Sequence, residues 1–282
     1  MTEFLQAVVS FPFLQNALLA GGLASLAFGI TGTYVVVKRI GFIGGGIAHT
    51  VLGGMGVAYY LGADPMAGAL VAAVISAGII SIVRLRARQH EDTLIGAMWA
   101  VGMAIGLIFL AKTPGYSVDL TSFLFGNILM VTPRDLALIA GMDLVIVLLV
   151  GLFYRPLLAV VFDEEYARLR GVPVEVMYFL LLCLVSLTVV VLIRIVGLLL
   201  VIALLTLPAA IAGQYTRRMG PMMVLAFLLG LAFTTGGLAL SYGPDLPAGA
   251  TIVLLAGVAY VVSLAGKSWQ SRRLRVPFSG EN

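Results

Sequence analysis

Long apolar stretches, separated by short polar breaks, dominate this chain. Nine are recognisable, near residues 14–37, 45–61, 66–83, 93–111, 136–154, 174–193, 195–214, 221–241 and 249–266. A helix needs about 20 apolar residues to cross the hydrocarbon core of a bilayer. Because the backbone must satisfy its own hydrogen bonds there, the spacing predicts an all-α polytopic membrane protein with eight or nine transmembrane helices.

The composition excludes a soluble fold. Of the 282 residues 61% are hydrophobic and 11% charged, whereas soluble domains are about 25% charged. The single cysteine, Cys183, excludes a disulfide framework and a cysteine-based metal site. We expect one transmembrane domain over residues 1–282, with a C-terminal tail at 267–282 and no nucleic-acid partner.

Basic residues fall mostly in alternate breaks, which the positive-inside rule places on the cytoplasmic side. They are Lys38, Arg39, Arg84, Arg86, Arg88, Arg155, Arg168, Arg170, Arg217, Arg218, Lys267, Arg272, Arg273 and Arg275. With nine spans, the N-terminus is then outside and the C-terminus cytoplasmic. Both ends of Tyr116–Val131 fall outside in this arrangement, so we expect a short or re-entrant helix there.

The longest charged run between two apolar stretches is Phe162–Val174, on the predicted cytoplasmic side. Its pattern is typical of a short helix, with a capping residue and charges matched to the helix dipole. The cap is Asp163, the first turn holds Glu164 and Glu165, the last holds Arg168 and Arg170, and Gly171 and Pro173 end the helix. A polar helix on a membrane face predicts a docking site for a partner outside the membrane.

Polar residues inside spans are expensive and are candidates for function. His49 follows Gly44–Gly46, where we expect irregular backbone, and its imidazole is either a satisfied core group or a contact for a transition metal. Asp143 and Arg194 form an ion pair, or else Arg194 reaches the outer surface and Asp143 pairs with another group in a structural role. Near the predicted outer face, three aspartates could attract cations to the mouth of a pathway; they are Asp64, Asp119 and Asp245.

A nucleotide site is absent from the sequence pattern. Gly266, Lys267 and Ser268 resemble the end of a phosphate-binding loop, but that pattern requires glycine at position 261, which is Val261. If ATP drives this protein, another chain binds and hydrolyses it. We therefore expect a non-catalytic subunit.

Several motifs, in order along nearly the whole chain, resemble those of the permease subunits of zinc, manganese and iron ABC importers. They are Asn16–Gly21, Gly32–Arg39, Phe42–His49, Leu124–Leu129, Asp163–Pro173, Gly197–Ala210, Leu240–Tyr242 and Asp245–Thr251. The resemblance implies a type II ABC importer permease in the bacterial cytoplasmic (inner) membrane. It also implies a homodimer, a cytoplasmic ABC ATPase and an extracytoplasmic metal-binding protein as partners.

In this family the segment at 162–174 couples to the ATPase. The resemblance assigns that role to Asp163, Glu164, Glu165, Tyr166, Arg168, Arg170 and Gly171. It also implies a translocation-pathway metal contact at His49, where the family often has an aspartate four residues earlier. Position 45 is glycine here. Because manganese favours oxygen donors, this departure favours zinc as the transported ion, with no permanently bound cofactor.

Three other functions remain open on the sequence. A permease for metal chelates such as siderophores or cobalamin would have a related architecture. An intramembrane enzyme would need several polar ligands meeting in the membrane, and a secondary transporter would need intramembrane carboxylates, of which Asp143 is the clear candidate.

Overall fold

A computed structural model describes residues 2–86, 91–113 and 126–274, and its regular elements are all helices. They are α1 Thr2–Ser10, α2 Pro12–Lys38, α3 Gly41–Tyr60, α4 Pro65–Arg86, α5 Glu91–Lys112, α6 Pro133–Phe162, α7 Glu164–Leu169, α8 Val174–Val196, α9 Val201–Tyr215, α10 Met219–Tyr242 and α11 Ala248–Leu274. Short 3-10 helices cover Ile128–Met130 and Leu198–Leu200. The predicted all-α fold is confirmed.

Eight helices of the described segments are long and apolar enough to cross a membrane: α2, α3, α4, α5, α6, α8, α10 and α11. The ninth apolar helix, α9, has 15 residues. The chain nevertheless crosses the bundle through α9. Helices α8 and α10 both begin at the face where α6 ends, so α8 takes the chain to the opposite face and α9 brings it back. Nine passes over the described residues agree with the prediction from the apolar stretches.

Helix α9 is short because the chain breaks before it. At 1.5 Å per residue, 15 residues rise about 22 Å, less than the roughly 30 Å of hydrocarbon. Gly197 (φ 78°) ends α8 and the 3-10 turn Leu198–Leu200 follows. A second left-handed glycine, Gly126 (φ 64°), lies against Gly197, and a Cβ there would collide with the backbone of Val196 and Gly197. The predicted uninterrupted span over 195–214 is therefore wrong at its outer end.

Two other expectations are corrected. The predicted span 136–154 stops too early, because α6 kinks at Phe153, accommodates Pro156 and continues to Phe162. The irregular backbone expected at Gly44–Gly46 is not observed, since these residues lie within regular α3. Their missing side chains allow Leu205 and Ile95 to pack closely, so the glycines serve helix packing.

The bundle has a buried centre and an apolar exterior. Helices α2, α3 and α8 are mostly buried, whereas α4, α5, α6, α10 and α11 expose much of their apolar surface. Ends of helices that carry the predicted cytoplasmic basic residues meet at one face. At the opposite face, residues from the α3–α4 turn, the start of α6 and the end of α8 line a common cavity. The fold thus separates a basic end from an outer cavity.

Candidate functional site

His49 lies in a tight contact between α3 and α5. Its side chain is 3% exposed and its ring stacks on Trp99, with ring centroids 4.0 Å apart and planes inclined by 19°. Its buried Nδ1 atom has no hydrogen-bond partner in the described parts of the chain. Gly102 of α5 packs on the next residue, Thr50, whose Cα would lie 2.5 Å from a Cβ at position 102. The imidazole is therefore held rigidly, with one nitrogen unsatisfied.

The position four residues before His49 has no room for an aspartate without repacking. A Cβ at Gly45 would lie 2.6 Å from Cδ1 of Ile202 and 3.1 Å from the Trp99 ring. Both neighbours are apolar, so a carboxylate there would lose water without gaining a partner. Over the described residues, no group of three or more His, Cys, Asp or Glu side chains could hold a metal ion. His49 stands as a single donor.

The outer cavity has a volume of about 550 Å³ and lies between α3, α4, α6 and α8. Its polar lining includes Asp64, Asp135 and Arg194. Asp64 is exposed, and its Oδ1 accepts a hydrogen bond from the amide of Met66 at 2.8 Å. Asp245 is exposed in the α10–α11 turn but does not line this cavity, and Asp119 lies outside the described residues. Of the two predicted outer aspartates that the structure describes, the cavity therefore holds one.

Arg194 binds Asp135, and the alternative of an Asp143–Arg194 pair is wrong. The guanidinium donates from Nε to Oδ1 and from Nη2 to Oδ2 of Asp135, both at 3.1 Å. Asp135 also closes the capping box at the start of α6 with Thr132. Arg194 is exposed at the end of α8, whereas Asp143 is 3% exposed and neither of its oxygens has a partner in the described structure. The two residues thus occupy different environments.

At the cytoplasmic face, the predicted short helix exists as α7. Asp163 caps it by accepting a hydrogen bond from the amide of Tyr166 at 3.0 Å, and Gly171 takes a left-handed φ of 76° beyond its end. Arg170 donates from Nε to the Tyr166 hydroxyl at 3.0 Å. Arg168 pairs with Glu175 of α8 at 2.5 Å. The predicted helix is confirmed in its cap and in the turn at Gly171, whereas Arg170, predicted in the last turn, is the C-cap after Leu169.

Glu164 points back into the bundle, unlike its neighbour Glu165. Its Oε1 atom lies 2.6 Å from Nζ of Lys38 and 2.6 Å from Nη2 of Arg84. Partial burial raises the pKa of Glu164, but the hydrogen bond from Lys38 and the charge of Arg84 outweigh it and hold that pKa below its ordinary value. Glu165 is exposed. The two adjacent carboxylates therefore have different surroundings.

Sequence reasoning missed the partners of this carboxylate. The sequence pattern marks Lys38 and Arg84 as residues of the cytoplasmic side and gives no sign of Tyr178, whose ring centroid lies 3.7 Å from the guanidinium carbon of Arg84. Trp99 beside His49 was also missed. A basic residue at the last turn of two separate spans was the available signal, but only the tertiary fold brings them to one acid.

A helical bundle with eight membrane-spanning helices among its described residues, an anchored polar helix at its basic face and a cavity at the other, is a multi-pass membrane transport protein. The chain belongs to the ABC 3 transport family, whose model matches residues 10–267. This confirms the resemblance to the metal-importer permeases and the expected location in the bacterial inner membrane.

Relatives and a solved structure agree over nearly the whole length. An uncharacterized membrane protein of Synechocystis sp. is 46% identical over 265 residues, which are 94% of each chain. The manganese transport system membrane protein MntC of Halalkalibacterium halodurans is 35% identical, covering 93% of this chain and 90% of its own. PsaBC from Streptococcus pneumoniae in complex with Fab is 33% identical, with a TM-score of 0.85 over 93% of this chain and 94% of that chain.

Proposed function

We propose that this chain is the permease subunit of an ATP-driven importer that carries a divalent transition metal ion across the inner membrane. The observation that carries the proposal is α7, a capped helix that exposes large side chains at the basic face. Tyr166 and Leu169 of α7 are 49% and 87% exposed, and Phe162, the last residue of α6, is 63% exposed beside them. Exposed apolar side chains on a fixed helix outside the hydrocarbon core suit a protein partner.

The proposal assigns partners to both faces and to the membrane-facing surface. A cytoplasmic ATPase binds Glu165, Tyr166 and Leu169 of α7, together with the flanking Phe162 and Arg170, which are also exposed. A second copy of the chain completes the pathway, and a metal-binding protein delivers the ion to the outer face. There Asp64 and Asp245 attract the cation. The permease itself performs no catalysis.

Zinc is the metal that the surroundings of His49 favour. Imidazole nitrogen is a good zinc ligand, whereas manganese favours carboxylate and other oxygen donors. The close approach of Ile202 and Trp99 to Gly45 supports this choice, because no carboxylate accompanies the imidazole on that helix face. We propose that His49 contacts the ion during its passage.

Manganese is the second candidate, and the names of relatives favour it. MntC of Halalkalibacterium halodurans and ScaB of Streptococcus parasanguinis, 35% and 32% identical to this chain, are named for manganese transport and manganese import. The two metals differ in preferred donors, so uptake measured for each ion separately distinguishes them.

Reconstitution into vesicles tests the proposal. The permease is assembled with its ATPase and the binding protein, and uptake of zinc and of manganese is measured with and without ATP. We expect ATP-dependent uptake, with zinc preferred. Uptake that needs no ATPase would contradict an ATP-driven importer, and manganese preference would overturn the zinc assignment alone.

A matched pair of substitutions tests the docking surface. Leu169→Asp places a charge at the 87% exposed tip of α7, and we expect the ATPase to be lost on purification. Leu246→Asp alters a 52% exposed leucine at the outer face and serves as the control. Equal ATPase recovery with both variants would remove the docking role of α7.

A further inference from the structure

Glu164 contacts the transmembrane helices, whereas its neighbour Glu165 is exposed. The side chain of Glu164 is 29% exposed, and the side chains of Lys38 and Arg84 are 13% and 24% exposed. A single oxygen accepts from both cations. Because this carboxylate contacts cations at the ends of two transmembrane helices, we place its role within the bundle.

The cluster around Glu164 joins the cytoplasmic ends of four transmembrane helices. Lys38 is the last residue of α2, and its Nζ also donates to the carbonyl of Val160 in the last turn of α6, at 2.8 Å. Arg84 lies near the end of α4, and its guanidinium covers the ring of Tyr178 in α8. Glu164 connects α7 to this set through charge-assisted hydrogen bonds, which are stronger than neutral ones.

Among the described residues, the other hydrogen bonds, ion pairs and apolar contacts of α7 reach its chain neighbours α6 and α8. Asp163 is both the C-cap residue of α6 and the N-cap residue of α7. Ala167 is buried against Val160 of α6 and against Val174 and Met177 of α8. In the described part of the chain, the hydrogen bonds and ion pairs of α7 that reach α2 and α4 all end on Glu164.

Helix α4 continues from this anchor to the outer cavity. Arg84 lies at its cytoplasmic end, and Pro65, Met66 and Ala69 at its other end line the cavity. Along its length α4 packs on α3, with the backbones of Gly54 and Gly68 in close approach. A displacement of α7 that moves Arg84 would therefore also displace α4 against α3, which carries His49, and change the shape of the outer cavity.

We propose that Glu164 is a positioning residue that transmits movement of α7 to α2 and α4, and so couples ATP hydrolysis to opening of the pathway. The inference rests on the proposed function, since it requires an ATPase at α7. It assigns to two adjacent carboxylates separate tasks: Glu165 faces the partner, and Glu164 faces the transmembrane helices.

The test compares Glu164→Gln with Glu165→Gln in the assembled complex. For each, ATPase recovery, ATP hydrolysis and metal uptake are measured in vesicles, with the metal that the wild type carries. We expect Glu164→Gln to retain the ATPase and its hydrolysis while uptake per ATP falls about tenfold, the equivalent of losing about 1.4 kcal/mol of coupling. Glu165→Gln, at the partner-facing surface, should instead lower ATPase recovery, with hydrolysis and uptake falling together and the wild-type ratio kept only by the complexes that still assemble.

A double-mutant cycle with Lys38→Met provides the second measurement. If Lys38 acts through Glu164, the double variant loses no more uptake per ATP than Glu164→Gln alone. Additive losses, or an equal fall of hydrolysis and uptake in Glu164→Gln, would reduce the cluster to a structural role and overturn the inference. Absence of ATP-dependent uptake in the wild type would instead refute the proposed function, and the inference with it.

Discussion

The cytoplasmic cluster around Glu164 and the mid-membrane contact around His49 are organised by opposite rules. In the cluster, each named charge has an opposite charge, a carbonyl or an aromatic ring beside it. At His49, the nitrogen Nδ1 is unsatisfied and the neighbours are an aromatic ring and closely packed glycine backbone. Charge pairs hold the side chains in place around Glu164, whereas close packing holds them in place around His49.

The difference shows where each region tolerates change. A charge cluster at the membrane surface responds to protonation and to loss of a partner, because water is near and can replace one contact. A glycine-lined helix contact responds to volume, because backbone atoms cannot rotate away as side chains do. Substitutions of charge and of size should therefore have different effects in the two regions.

The largest effect is expected from adding volume between α3 and α5. Gly102→Val would place its Cβ 2.5 Å from Cα of Thr50. The cost should be at least about 3 kcal/mol, the upper part of the range for overpacking, since the obstacle is backbone. Thermal unfolding of the purified protein in detergent measures it.

Gly96→Val is the matched control, because it lies on the same helix and a Cβ there meets nothing within 4 Å. Both variants carry the same change in helix propensity, because valine replaces glycine within one helix. Equal unfolding temperatures would show that close packing at His49 does not determine stability there.

The second effect separates the imidazole of His49 from its shape. His49→Phe retains a ring to stack on Trp99 but removes the nitrogen donors, whereas His49→Ala loses both. We expect both variants to lose metal uptake, and only His49→Ala to lose in addition about 1 kcal/mol of stability from the aromatic pair. Uptake at limiting metal and thermal unfolding are measured together.

Normal uptake by His49→Phe would assign His49 a packing role and leave the passage of the ion without an identified ligand. The contrast between the two regions would then become sharper, because the contact around His49 would serve only the packing of α3 on α5.

The third effect is the response of the cluster to acid. The pKa of Glu164 is held below its ordinary value of 4.5, so its pairs stabilise the folded state fully above that pH and lose their contribution as the pH falls through the lowered value. The difference in unfolding temperature between wild type and Glu164→Gln should therefore be largest near neutral pH and shrink below about pH 4. A difference that does not change with pH would mean that the charge of Glu164 is not what stabilises the cluster.

The two regions were also predicted from the sequence to different extents. The charge pattern of 162–174 correctly indicated the cap at Asp163 and the turn at Gly171, because capping depends on neighbours in the chain. It did not show that Glu164 turns inward while Glu165 turns outward, since this depends on where α2 and α4 end. The glycines before His49 predicted irregular backbone, whereas they allow Leu205 and Ile95 to pack on a regular helix. Features set by neighbours in the chain, such as helix caps and turns, could be predicted from the sequence, whereas side-chain contacts between distant helices could not.

The smallest effect is expected at the outer face, where charges are again paired but are more exposed. The side chain of Arg194 is 43% exposed and that of Asp135 17%, and the pair joins the start of α6 to the end of α8. Arg194→Gln should cost no more than about 1 kcal/mol, as is usual for solvent-exposed pairs. Asp135 keeps its hydrogen bonds to Thr132 in this variant, so the start of α6 remains capped.

Thr132→Ala at the same helix start removes the cap and not the ion pair, so the unfolding temperatures of the two variants separate capping from pairing. A loss for Arg194→Gln as large as that for Gly102→Val would mean that electrostatics, and not helix packing, determine stability even at the outer face, and the contrast between the two rules would fail.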